Sequence, residues 1–165
     1  MNFGVASITR GAKSQLTFER NINIIDYSQD FYSWTQEQAA LLKNGRFSEL
    51  DIDNLIEEVE SMGRSEKREL ESRLTALLLH LLKWKYQEVR RGRSWQLSID
   101  EQRFQFCKTL NENPGLKPAL DEIIKDAYKL AVIKAARETR ISKAVFPEYC
   151  PWELAQLIED EFYPD

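Results

Sequence analysis

An all-α single domain, a bundle of about five to six helices around a central leucine-rich helix, is the fold this sequence predicts. Three observations carry that reading. Apolar residues recur at three- and four-residue spacing through most of the chain. The stretch Leu70–Leu82 holds too many leucines for a surface helix. No pair of segments alternates as strands do. At 165 residues the chain suits one domain able to bury about two-thirds of its unfolded surface.

Residues 1–26 carry no clear period and read as an N-terminal arm, flexible or extended, which leaves 27–165 as the bundle domain. The first helix follows from the spacing of Phe31, Trp34, Gln38, Leu41 and Leu42. It opens at Thr35 with Gln38 as a capping box, or earlier at Ser28 or Asp30. Asn44 and Gly45 end it, because glycine accepts the left-handed backbone of a helix stop. Ser48 is the expected cap of the second helix, whose inward face reads Ile52, Leu55, Ile56, Val59 and Met62. Gly63 is expected to bend or break it, with a kink favoured over a long straight rod. In the next helix Leu70, Leu74, Leu77, Leu78, Leu79, Leu81 and Leu82 cover about 200° at 100° per residue, so it belongs at the centre. Ser98 and Glu101 form a capping box for a helix through Ile99, Phe106 and Leu110. After the turn Asn113-Pro114-Gly115, a helix over about 118–140 presents Leu120, Ile123, Ile124, Ala127, Leu130, Ala131 and Ala135. Pro151 suits the first position of a last helix running to Phe162.

Composition bounds the function. The chain is 42% apolar and 30% charged, and no apolar run approaches the ~18 residues of a membrane helix. MNFGVASITR has no apolar secretory core, so a cytoplasmic location without a membrane partner is expected. Cys107 and Cys150 lack CxxC spacing and read as thiols. A single histidine excludes a two-histidine metal motif within one chain, and Leu77 stands where a diiron Glu-x-x-His motif would need its glutamate. Asp51, Asn54 and Glu58 share a helix face and have oxygen ligands for a hard cation, but a solvated acidic face explains them equally, so no metal and no cofactor are expected. The net charge of −4 hides segregation: an acidic block at Asp51–Gly63, a basic one at Leu82–Trp95, and an acidic one at Trp152–Asp165.

The strings Asp30-Phe31-Tyr32-Ser33-Trp34, Asn54 through Gly63, His80-Leu81-Leu82-Lys83-Trp84, Ser94-Trp95, Glu101-Gln102-Arg103, and Phe146-Pro147 through Cys150-Pro151 occur in order. Together they resemble the family called domain of unknown function 29, over about Tyr27–Asp165. The resemblance implies a small all-helical bacterial protein, and it supplies no catalytic residue.

Four groups of residues have the chemistry to act. Arg103 falls on the inner face of its helix, where a buried guanidinium needs a partner; Glu57 and Glu58 are the expected ones, with an anionic ligand as the alternative. His80, beside Trp84, is a core imidazole or a proton carrier. Trp84, Arg91, Arg93 and Trp95 mix bases with aromatics, which suits phosphate or nucleic-acid binding, a protein partner, or charge balance against the acidic helix. An enzyme would need Glu58, His80 and Arg103 in one cleft. The absence of a GxSxG, a phosphate-binding glycine loop or a Cys–His spacing favours a non-enzymatic protein that binds another protein or itself, with nucleic acid the secondary class of partner. The acidic C-terminal end and the Arg90–Trp95 loop are the surfaces this reading points to.

Overall fold

The computed structural model describes residues 26–165. All but the last residue of the expected N-terminal arm therefore lies outside the described residues. Among the described residues there are five α-helices, several 3₁₀ turns and no strand. The chain divides into two compact units, Met1–Ile52 and Asp53–Asp165.

In the first unit, α1 spans Phe31–Lys43. Its N-cap is Asp30, one of the two starts expected before Thr35, and its carboxylate accepts the Ser33 backbone N–H at 3.0 Å. Asn44 closes the helix and Gly45 follows at φ +68°, the left-handed stop that glycine permits. Tyr27, Phe31 and Trp34 pack ring against ring. The Trp34 indole donates to Asp51 Oδ2 at 3.1 Å, and the Asp51 backbone N–H donates to the Gln38 amide oxygen at 2.9 Å. The second bond explains why Gln38 is buried on an otherwise apolar face. Ser48 lies in the 3₁₀ turn Phe47–Glu49 and does not cap the next helix.

α2 runs Ile52–Tyr86, 35 residues, and is continuous through Gly63, so of the bend or break expected there the break does not occur. Glycine costs a helix about 1 kcal/mol relative to alanine. Here Met62, Arg64, Glu66 and Lys67, all good helix formers, flank it and propagate the helix across it.

In the second unit, α3 spans Arg93–Glu112 and α4 spans Leu120–Thr139, 20 residues each. The Leu70–Leu82 part of α2 is the centre of the core, as expected: Leu70, Leu74, Leu77, Leu78, Leu81 and Leu82 are fully buried. Against them pack Ile99 and Phe106 of α3, Ile123, Ala127 and Ala135 of α4, and Phe146, Trp152 and Leu157 beyond it. Leu130, expected inside, is exposed. Ser98 does not cap α3, which starts earlier, after Gly92; its hydroxyl instead donates to the Ser94 carbonyl one turn back. The last helix is also shorter than expected. α5 is only Leu154–Leu157, with Glu153 and Gln156 forming its capping box, and the chain to Asp165 is irregular.

Two cross-links set the relation of α4 to α2. Lys67 Nζ meets Glu122 at 3.2 Å and Lys83 Nζ meets Glu138 at 2.9 Å, both fifty-five positions apart, so the two helices run in the same direction. Asn113, just past the end of α3, donates to Glu66 at 2.9 Å. Both partner helices therefore end at the level of Glu66 and Lys67, while α2 continues toward its N-terminus for about 20 Å more.

Candidate functional site

Arg103 is the largest fully buried side chain, 1% exposed, and its partners are neither Glu57 nor Glu58. Nε donates to the Leu157 carbonyl at 3.0 Å, Nη1 to the Asp160 carbonyl at 2.9 Å, and Nη2 to the Phe162 carbonyl at 2.6 Å. Asp100, one turn earlier on α3, lies 3.7 Å from Nη1. The guanidinium also sits over the Tyr163 ring, 5.7 Å from its centroid. Buried carbonyls that no helix or strand pairs must find donors elsewhere. The rigid fork of one arginine meets three of them, folding the tail onto α3. The Tyr163 hydroxyl adds a bond to Asp100, and burial pushes its pKa up to about 12.

The expected cleft of Glu58, His80 and Arg103 does not form. Glu58 and His80 stand twenty-two positions apart on one continuous helix, a separation of about 33 Å. Arg103 is placed near the opposite end of α2 from Glu58, since Tyr163 beneath it packs on Trp84 at 5.2 Å between ring centroids. Glu57 is exposed near the start of α2. His80 is half-buried within reach of the charges of Lys83 and of Glu138 of α4, and its Nδ1 has no hydrogen-bond partner. Burial first, and the Lys83 charge second, lower its pKa below 6.5, so the imidazole is neutral at pH 7. Burial also raises the pKa of both the Cys107 and Cys150 thiols, which keeps them from acting as thiolates.

Lys83, Lys85 and Arg91 of the basic-aromatic segment are used inside the fold. Arg91 Nε donates to the Trp84 carbonyl at 2.8 Å, capping the C-terminal turn of α2, and its guanidinium lies over the Trp84 ring. Lys83 bridges Glu138 and the Trp95 ring. Lys85 reaches the Asp165 carbonyl at 2.9 Å. The charge balance foreseen for these bases is thus made with α4 and the tail, not with the acidic block Asp51–Glu60. Arg93 is exposed at the first position of α3.

Two grooves among the described residues are lined by none of these side chains. One, of about 630 Å³, runs along α4 between Tyr128, Val132 and Ile133 and the Ala144–Glu148 segment. Another, of about 470 Å³, lies in the first unit beside Trp34 and Gln38. Among the described residues no group of three His, Cys, Asp or Glu is placed to hold a metal, and no helix is long and apolar enough to cross a membrane.

What the sequence reading missed is on α2 itself. Ile52, Ile56, Val59 and Met62, expected to face inward, are exposed; Ile56, Val59 and Met62 show 53%, 66% and 68% of their surface. Leu55 beside them is half-buried. At 100° per residue this stripe lies on the same side of α2 as Leu70, Leu74 and Leu77. It is the core face of the helix, continued past the level where α3 and α4 end. The signal that would have found it is the mismatch between a 35-residue helix and two 20-residue neighbours.

The family model for the domain of unknown function DUF29 matches residues 27–163. The chain belongs to the DUF29 family. That match covers both the cap of α1 and the tail that Arg103 holds. No curated protein and no solved structure matches the chain.

Proposed function

We propose that this DUF29 protein is a non-enzymatic, cytoplasmic interaction domain that binds a helical segment of another protein along the N-terminal half of α2. The observation that supports it is the exposed stripe Ile56, Val59 and Met62, one apolar side chain per turn on the uncovered core face. Apolar side chains in such a row lose water when an amphipathic helix lies along them, at about 25 cal/mol per Å². Exposed apolar side chains scattered singly need no explanation; a row in register with the core does. The dispersal of Glu58, His80 and Arg103 removes the residues an enzyme reading needs, and the internal use of Arg91 and Lys83 weakens the nucleic-acid reading.

The test is binding of fluorescently labelled amphipathic-helix peptides to the full chain, followed by anisotropy. Binding that weakens at least about tenfold in Val59→Asp, with an unchanged circular dichroism spectrum, supports the reading. A Val59→Asp chain that binds as well as the parent, or a parent that binds no such peptide, overturns it.

A further inference from the structure

Resting on that reading, we infer that the partner helix is basic along the flank that meets Asp53 and Glu60 and that the stripe is not a homodimer seam. On a helical wheel Asp53 and Glu60 border one edge of the stripe and Glu58 the other, with Glu57 on the far side. No base occurs between Asp51 and Gly63. The first, Arg64, meets Glu60 at 3.3 Å in an exposed pair, which contributes little and is screened by salt.

Length excludes the arrangement that would let a second copy compensate. The bases that follow, Lys67 among them, lie where the bundle already covers α2: Lys67 is engaged by Glu122, and the neighbouring Glu66 by Asn113. A second copy can therefore overlap only the segment before Glu66. Side by side, two such segments set Asp53 and Glu60 against the same carboxylates, with Arg64 the one base each offers, and like charges in register oppose association. A helix with an apolar face and Lys or Arg along one border meets the stripe with its apolar side and Asp53 and Glu60 with its charges. Complementary charge of this kind selects the partner and speeds its approach more than it adds affinity.

The experiment uses three peptides with one apolar face and basic, neutral or acidic borders, titrated into the full chain at low and high salt. The basic peptide is expected to bind about tenfold or more tighter than the neutral one, to lose that advantage at high salt, and to lose it in Asp53→Lys/Glu60→Lys. The acidic peptide should bind the doubly reversed chain better than the parent. If neutral and basic peptides bind Val59-dependently with equal strength, the interaction domain stands and the inference fails. If none binds, both fall. Light scattering on the full chain decides the other occupants: a dimer abolished by Val59→Asp overturns the inference in favour of a second copy. A monomer whose residues 1–25 cross-link to Met62→Cys, in competition with the basic peptide, overturns it in favour of the chain's own N-terminal segment.

Discussion

The two halves of α2 carry the same apolar pattern and meet opposite fates. From Leu70 to Leu82 the leucines are sealed by α3, α4 and the tail; from Ile52 to Met62 the same face stands in water. The wider arc of leucines marks the second half as central, but nothing in the first half marks its face as one that stays open. The difference comes from the lengths of the neighbouring helices, which stop at the level of Glu66 and Lys67. An amphipathic face is thus evidence that a surface is meant to be covered, and tertiary structure decides whether the cover comes from the same chain.

Substitutions in the two halves should separate sharply. Leu77→Ala, deep in the core, is expected to cost about 3 kcal/mol of stability by urea unfolding, within the 2–5 range for buried leucines. Val59→Ala should change it by less than about 0.5 kcal/mol. Equal losses at both sites would erase the distinction. Arg103→Met, which removes the donor for three carbonyls, is expected to cost about 3 kcal/mol. It should also speed hydrogen exchange over residues 157–163 before the rest of the second unit. Arg103→Lys should rescue little, since an ammonium lacks the fork.

A smaller effect of opposite sign is expected at Gly63. A Cβ there meets nothing within 4 Å, and the position is helical, so Gly63→Ala should raise stability by about 0.5–1 kcal/mol. A loss would mean that the helix is interrupted there after all. The mildest expectation concerns pH. His80 has its folded pKa lowered from 6.5, so the unfolded chain binds more protons and stability falls as pH drops from about 6.5 through the folded value. Unfolding curves at several pH values should show this slope in the parent and a reduced one in His80→Gln.

The sequence was readable where one helix reports on itself. The stop at Asn44-Gly45, the central leucines and the period of α4 all depend on short-range spacing, and they hold except at Leu130, which is exposed. It was unreadable where the answer lay in a backbone or in another element's length. The Arg103 side chain announced a need for a partner, but three main-chain carbonyls have no residue signature, so carboxylates were the expected choice. Gly63 and Ser98 are ordinary boundary residues that neighbouring helix formers override. The exposed stripe was hidden because its pattern is that of a core.

The most direct measurement of the central claim is the peroxide oxidation rate of Met62 in the folded chain, compared with the urea-unfolded one, by mass spectrometry of its proteolytic peptide. Met62 is 68% exposed, so its thioether should oxidise at nearly the unfolded rate, and bound basic peptide should protect it. A folded-state rate slowed as for a core methionine, with no peptide added, would contradict the account, because the face of α2 before Glu66 would already be covered.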